Sequence, residues 1–198
     1  MSGPVTAAGR AAPVGVLDAL VLLLALSAGL GAYRYAWPVL AWVLSRRPVA
    51  RRLVGRAMRT PYQHITSADG SDVYMLRWWL FNPYHDTPGL RRFAWCPFSI
   101  RLHHIRRADQ DRDMHDHPWN ARTVILRGYY IETRENGLAV KRSQGDTATL
   151  RFGEFHRIDY VPPGGVATLF ITWRYQGTWG FKVDGRKVPY RDYLEGRR

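Results

Sequence analysis

The stretch HDHPWNARTVILRG, from His115 to Gly128, and the stretch GDTATLRFGEFH, from Gly145 to His156, decide the fold. In an extended chain, residues i and i+2 point to the same face, so His115 and His117 can reach one metal ion. A lone pair of this kind is weak evidence, because two histidines often share a strand by chance. The second stretch strengthens it, since its glycines and a third histidine follow in the order G-x7-G-x2-H.

These two stretches resemble the two motifs of the cupin superfamily. The first cupin motif ends in HxH, three or four residues, Glu, six residues and Gly. Here the final glycine is Gly128, and the Glu position is Ala121. The second motif is G-x5-P-x-G-x2-H-x3-N, and it has Gly145, Gly153 and His156 in register.

The chain departs from the second motif at two places, with Arg151 at the proline position and Tyr160 at the asparagine position. The resemblance covers about residues 70–185 and is strongest to small cupin-like proteins of bacteria and phages, for which no activity is established. It implies an all-β fold, a cupin-type jelly-roll β-barrel. It also implies that His115, His117 and His156 bind a divalent metal.

The fourth ligand of a cupin is usually the motif Glu, and Ala121 cannot replace it. A three-His site resembles the thiol-dioxygenase branch, in which substrate and O₂ complete the coordination of ferrous iron. This resemblance favours Fe(II), although histidine-only sites also suit Zn, Ni, Mn or Cu. The missing ligand leaves two alternatives open, a different reaction or a site that no longer binds metal.

Strand alternation adds further candidate residues. If His156 points into the barrel, so does Tyr160, which could donate a proton near the metal; the alternative is a core tyrosine. His103 and His104 lie on an earlier strand, where only one of them can face the barrel as an additional ligand. A structural histidine is the alternative for each. Cys96 is the only cysteine, which excludes an intramolecular disulfide and a zinc site made of cysteines.

From about residue 70 the sequence predicts short strands separated by turns. The predicted strands are Val73–Phe81, Phe98–Ile105, Arg122–Ile131, Ala139–Arg142, Thr147–Phe152, Phe155–Val161, Val166–Tyr175 and Trp179–Val183. Turn signals such as Asn82-Pro83 and Asp184-Gly185 lie between them. Many short strands with regular turns are typical of an all-β sandwich or barrel.

The first third of the chain has a different composition. The formal net charge of the whole chain is +13, and residues 1–59 hold eight arginines but a single acid, Asp18. Residues 15–32 read GVLDALVLLLALSAGLGA, which at about 1.5 Å per residue spans most of the hydrocarbon core of a bilayer. The residues predicted at the membrane interface are Tyr33, Tyr35, Trp37, Arg46, Arg47, Arg51 and Arg52.

The excess of arginine after the apolar span predicts a single-pass protein with its N-terminus outside and its C-terminal domain in the cytoplasm. The predicted divisions are a flexible N-terminus at 1–13, a transmembrane helix at 14–37, an Arg-rich juxtamembrane helix or linker at 38–60 and a cupin-like barrel at 61–198. The alternatives are a cleaved signal peptide, which would make the protein secreted, and a buried core helix.

Three classes of function stay open on the sequence. The first is a metal-dependent enzyme that oxidises a small molecule. The second is a non-catalytic cupin that binds a small molecule or sugar, and the third is a structural jelly roll at the membrane. The basic charge predicts anionic lipid as a partner. Nucleic acid is disfavoured because the aromatic residues lie mainly on apolar strands. The small-molecule ligand is not identified, and a homodimer is compatible with the sequence.

Overall fold

The structure is a computed structural model, and it describes residues 33–67, 70–84, 93 and 95–196. The chain divides into two compact units, residues 1–37 and residues 38–198. In the first unit the described residues are 33–37, which begin helix α1 (Tyr33–Leu44). The predicted flexible segment 1–13 and the predicted span up to residue 32 lie outside the described residues. Among the described helices none is both long and apolar enough to cross a membrane.

The second unit is built around antiparallel β-strands. Its strands are β1 (Ile65–Thr66), β2 (Val73–Phe81), β3 (Ser99–Ile105), β4 (Trp119–Arg127), β5 (Tyr129–Arg134), β6 (Ala139–Ser143), β7 (Thr147–Leu150), β8 (His156–Tyr160), β9 (Val166–Tyr175), β10 (Gly180–Val183) and β11 (Arg186–Pro189). A six-stranded sheet has the order β1-β2-β3-β9-β4-β7, and a three-stranded sheet has the order β6-β5-β8. Strands β10 and β11 form a hairpin.

The two larger sheets share one apolar core. One buried cluster joins side chains from β3, β4 and β9 of the six-stranded sheet to side chains from β5 and β8 of the three-stranded sheet: Ile105, Ile125, Val166, Tyr130 and Ile158. Burial of apolar side chains from both sheets is the main force that holds such a sandwich together. The all-β architecture that the sequence predicts is therefore the one observed.

One predicted strand is wrong. The sequence predicts a single strand over Arg122–Ile131, whereas the structure has two strands that belong to different sheets, separated by Gly128. Gly128 has φ +83°, a left-handed conformation that glycine adopts without strain. A Cβ at this position would also lie 2.9 Å from the backbone oxygen of Gly165. Gly128 is thus the corner where the chain passes from one sheet to the other.

Helix α2 (Arg47–Ala57) packs against the six-stranded sheet. It buries Ala50, Leu53 and Ala57 on one face, which matches the helical spacing of three to four residues. Pro48 is the second residue of this helix, and proline is common in the first turn of a helix. A short helix α3 (Tyr190–Glu195) ends the described chain.

Candidate metal centre

The two histidine-bearing segments are joined by their backbones. The His115 N–H donates to the His156 carbonyl, and the His156 N–H donates to the His115 carbonyl, both at 2.9 Å. His115 also forms a bridge with Phe181 of β10. The pair His115–His117 lies just before β4, which begins at Trp119. This segment lies between two strands, because His115 pairs with His156 of β8 and with Phe181 of β10.

This backbone pairing brings the three predicted imidazoles together. His115, His117 and His156 each offer one ring nitrogen, and these nitrogens all lie within 4.8 Å of one another. Nε2 of His117 and Nε2 of His156 are 3.0 Å apart. Bonds from imidazole nitrogen to a divalent ion are about 2.0–2.1 Å, so nitrogens that share an ion lie only a few ångströms apart. The spacing of the three groups therefore suits one divalent ion.

Burial keeps His115 and His117 neutral, which is the form that binds metal. Burial, with the nearby His156 as the second cause, lowers the pKa of His115 to about 4. Burial also holds the pKa of His117 well below its ordinary value, and the other histidines lower it further. A neutral imidazole presents a lone pair on one nitrogen. At neutral pH both residues are thus ready donors for a cation.

A buried carboxylate lies behind His156. Oε2 of Glu132 is 3.4 Å from Nδ1 of His156, and Glu132 is fully buried on β5. Burial alone would raise the pKa of Glu132, but His156, Arg134 and Arg142 outweigh it and lower the pKa to about 2. An Nδ1–H that faces this carboxylate leaves the Nε2 lone pair directed at the centre. Sequence reasoning missed Glu132, because it lies 24 positions before His156 in the chain and outside both motifs.

A second carboxylate lies behind His115. Oδ2 of Asp109 is 3.8 Å from Nδ1 of His115. The same oxygen accepts the Ile158 N–H at 2.8 Å, which fixes Asp109 against β8. Asp109 lies in the charged segment 106–114, which the sequence gives no reason to place near a metal. Two of the three imidazoles thus have an acidic neighbour, as metal-binding histidines commonly do.

Asp116, between the two histidines of the first motif, points away from the centre. Its side chain is completely buried, and Oδ1 accepts the Gly180 N–H at 2.7 Å. Lys187 donates to its other oxygen. These bonds tie the histidine segment to the hairpin β10–β11 and hold both neighbouring imidazoles toward the centre.

The three imidazoles line a cavity of about 310 Å³ inside the second unit. Its wall is largely apolar and aromatic, with contributions from Ile105, Ile158, Phe170, Trp179 and Phe181. The space is large enough for a small organic molecule beside the histidines. The site therefore has both a metal donor set and room for a ligand.

The structure separates the two additional histidine candidates, and alternation on β3 holds as predicted. His103 is 7% exposed and lines the cavity, where it stacks on Phe170 with ring centroids 4.9 Å apart. His103 is not one of the three clustered histidines. His104 faces away, and its Nε2 lies 3.1 Å from the Gly164 carbonyl oxygen.

The structure does not bring Tyr160 to the centre. The pairing of β5 with β8 shifts register at this point, because Ile131 faces Tyr160 while Glu132 faces Ile158. Asp159 therefore has no partner in the register and forms a β-bulge, which reverses the inward–outward alternation of the strand. Tyr160 is accordingly 43% exposed and lies against Tyr129 on the surface, so we correct the prediction that it acts beside the metal.

Ala121 is buried on β4 as alternation predicts, in an apolar cluster with Leu150 and Phe170. Among the described residues that form the histidine group there is no carboxylate. At the position of the usual cupin Glu, this chain thus has an alanine that contributes to apolar packing.

The predicted membrane-interface residues differ in exposure. Tyr35 is 76% exposed, whereas Trp37 is 2% exposed. The interface position of both residues stays a prediction. The side chain of Tyr33 is outside the described part. Four predicted interface arginines are all exposed: Arg46, Arg47, Arg51 and Arg52.

The two motifs that resemble the cupin superfamily thus behave in the structure as the resemblance implies. They bring three histidines from separate segments to one centre in an antiparallel β fold. No protein-family model matches the sequence, and no curated protein matches it.

Several solved structures are similar in fold. A sugar phosphate isomerase of the cupin superfamily from Silicibacter pomeroyi is 15% identical, with 64% of this chain and 80% of that chain covered and a TM-score of 0.44. A polyketide cyclase from Streptomyces resistomycificus is 15% identical, with 63% and 80% covered and a TM-score of 0.44. Oxalate decarboxylase from Bacillus subtilis is 11% identical, with 70% and 32% covered and a TM-score of 0.45.

Proposed function

We propose that this chain is a cupin-type metalloenzyme that binds a divalent ion, with Fe(II) first among the candidates, and oxidises a small molecule. One observation carries the proposal: three clustered imidazoles open into a cavity of about 310 Å³. Structural metal sites usually have four protein ligands, whereas catalytic sites keep a position free. A three-His cluster beside a ligand-sized cavity is of the second kind.

The chain supplies the donors and their orientation. His115, His117 and His156 would hold the ion, and Glu132 and Asp109 would fix the rings of His156 and His115. The bound ion would supply a redox-active, Lewis-acidic centre open to O₂ and substrate. The apolar wall would exclude bulk water from the reacting groups.

Metal content tests this proposal most directly. We expect the purified full-length chain, reconstituted anaerobically with Fe(II), to retain about one equivalent of iron. His156→Ala should abolish retention while the protein still folds, and His104→Ala should change neither. Wild-type protein that binds no divalent ion after reconstitution would refute the metalloenzyme proposal. Metal retention by His156→Ala would show that the ligands are assigned wrongly.

An O₂ electrode then separates the enzyme from a binding module. We expect the iron-loaded protein to consume O₂ in the presence of a suitable small molecule, and His156→Ala to consume none. A protein that binds iron and ligands but never consumes O₂ across a broad metabolite panel would favour a non-catalytic binding cupin.

A second proposal concerns the membrane, and helix α2 supports it. The exposed arginines of this region are Arg46, Arg47, Arg51, Arg52, Arg56 and Arg59. Residues 33–59 contain no acid, and the neighbouring Val39 and Trp42 are 62% and 56% exposed. Arginines beside exposed apolar side chains suit the headgroup region of an anionic bilayer. We infer that this surface contacts anionic lipid.

Vesicle flotation tests the lipid surface. The full-length chain should bind vesicles that contain phosphatidylserine, and Arg51→Gln/Arg52→Gln should bind them less tightly at moderate salt. The matched control is Arg127→Gln/Arg186→Gln, which also removes two exposed charges but lies outside this region. Equal loss in both double variants would mean that only net charge matters and would overturn a defined lipid surface.

A further inference from the structure

One wall of the cavity is basic. Neighbouring strands β2 and β3 place three nitrogen-bearing side chains on it, Arg77, Arg101 and His103. Arg77 and His103 are directly paired across the two strands, and Arg101 lies two residues before His103 on the same face. The same cavity contains the three-His centre, so a ligand there can contact both features.

Arg101 is deeply buried and lacks an acidic partner. It is 6% exposed, its Nε has no hydrogen-bond partner, and it forms no ion pair with any residue that the structure describes. Three aromatic rings surround its guanidinium carbon, with centroid distances of 4.7 Å to Trp79, 5.0 Å to Trp119 and 5.4 Å to Tyr62. These rings orient the guanidinium but neutralise no charge.

Arg77 adds a second positive charge to the wall that contains Arg101. Its Nε donates to the backbone oxygen of Gln63 at 2.6 Å, and its guanidinium carbon lies 4.7 Å from the ring centroid of Tyr62. Like Arg101, it has no ion pair within the described ranges of the chain. Two arginines thus share one aromatic support and face the cavity without a counter-charge.

The buried acids that the structure describes, Glu132 and Asp116, are paired with basic side chains, in contrast to Arg101. Glu132 accepts from both Arg134 and Arg142 at 2.9 and 2.8 Å. Of the acids that line the cavity, Asp109 lies beside His115, and Asp111 also has a partner of its own. A buried guanidinium without a carboxylate is costly unless a ligand supplies the negative charge.

His103 complements the two arginines. Its Nε2 is buried without a hydrogen-bond partner. Burial, together with the charges of Arg101 and Arg77, keeps its pKa well below the ordinary value, so the ring is neutral. A neutral imidazole can donate one hydrogen bond to an anionic oxygen without adding charge.

We propose that Arg101 and Arg77, with His103, form a binding site for the anionic group of a small acid, a carboxylate or a phosphate. The planar fork of a guanidinium matches both groups and can bind them through two parallel hydrogen bonds. Bound there, the acid would place its remaining atoms in the cavity that the three histidines line. The identification of this acid as the substrate rests on the proposed function, whereas anion binding itself does not require the metal.

Calorimetric titration of the metal-free, full-length protein tests the site. The probes are propionate, methyl phosphate and the uncharged propionamide, which has nearly the shape of propionate. We expect one or both anions to bind and propionamide not to bind detectably. The tighter of the two anions identifies the carboxylate or the phosphate as the natural group. Equal affinity for propionate and propionamide, or no binding of either anion, would overturn the proposal.

Variants locate the site. Arg101→Met keeps the apolar stem but removes the charge, and should weaken anion binding at least about ten-fold. Arg127→Met is the matched control, since Arg127 is an exposed arginine on β4 and should leave affinity unchanged. If Arg101→Met does not fold, Arg77→Met and Arg101→Lys test the same wall, and both should weaken binding. Anion affinity unchanged in every folded variant would refute the site.

The same samples separate this proposal from the metal centre. Arg101→Met should retain iron as wild type does, because the arginine lies outside the histidine cluster. Loss of anion binding with full iron retention supports an anion site distinct from the ligands. A wild-type protein that binds propionate but no divalent ion would refute the metalloenzyme and leave the anion site standing.

Discussion

Single residues set the chemistry of this centre through burial. His115, His117 and His156 come from motif positions, and their convergence follows the spacing that the sequence displays. The rings of His156 and His115 also face Glu132 and Asp109, which the motifs do not contain. Motif spacing therefore predicts which residues meet, whereas the orientation of their rings depends on contacts between distant parts of the chain.

Glu132→Gln tests the residue behind His156. The amide removes the negative charge that faces Nδ1 and that pairs with Arg134 and Arg142. We expect metal affinity to fall by about 10–100-fold and the free energy of unfolding to fall by about 3–5 kcal/mol. Metal titration and urea melts measure the two effects. Glu135→Gln, a more exposed acid that pairs with Lys182, is the control and should change little. Unchanged metal affinity in Glu132→Gln would contradict the positioning role.

The buried histidines predict a loss of stability in acid. The pKa of His115 falls to about 4, and the pKa of His103 also lies well below 6.5. In the unfolded chain these groups take up protons near pH 6.5, whereas in the folded chain His115 does so near pH 4 and His103 only well below pH 6.5. Stability is therefore full above pH 6.5 and decreases as the pH falls toward 4, by about 1.4 kcal/mol per pKa unit and group.

Urea melts of the metal-free protein between pH 7.5 and 4.5 measure this dependence. His103→Phe keeps the ring stacked on Phe170 but removes one titrating group, so its stability should fall less steeply with acid than that of wild type. Stability that stays constant over this range would contradict the neutral, buried state of these histidines.

At the scale of elements, the sequence predicts strands well where alternation is uninterrupted. Strands β2 and β9 have the predicted bounds, Val73–Phe81 and Val166–Tyr175. The errors occur at local backbone irregularities: Gly128 divides one predicted strand, and the bulge in β8 turns Tyr160 outward. Such features depend on how two strands pair, which a single sequence does not contain. The basic wall was missed for the same reason, since it needs the register of β2 against β3.

The corner at Gly128 permits a controlled test of sheet geometry. Gly128→Ala introduces a Cβ 2.9 Å from the Gly165 oxygen in a left-handed conformation, φ +83°. Gly137→Ala has the same kind of backbone strain, with φ +75°, but its Cβ meets nothing within 4 Å. We expect Gly137→Ala to cost about 1 kcal/mol of unfolding free energy and Gly128→Ala about 2–4 kcal/mol. Equal losses would mean that the close approach between the corner and Gly165 is unimportant.

At the scale of the whole molecule, the chain has two parts that differ in charge and in apolar content, the basic, apolar first third and the β-sheet remainder. Six arginines of the first third are exposed: Arg46, Arg47, Arg51, Arg52, Arg56 and Arg59. A centre that oxidises a small acid and a lipid-facing surface would together suit a substrate that is released at, or passes along, an anionic membrane. This combination rests on both proposals and is tested by their separate experiments.

The predicted span at residues 14–37 requires a test of membrane insertion. An apolar stretch of this length reaches across most of the hydrocarbon core at about 1.5 Å per residue, and burying it in lipid does not depend on charge. We therefore expect the full-length chain to stay in the membrane fraction after washing with high salt and with carbonate. A chain that begins at residue 33 keeps only the arginines, whose attraction to lipid is screened by salt, so high salt should release it. Release of the full-length chain by either wash would contradict a membrane span. Recovery of a mature protein that starts near residue 30 would show that the segment is a cleaved signal peptide.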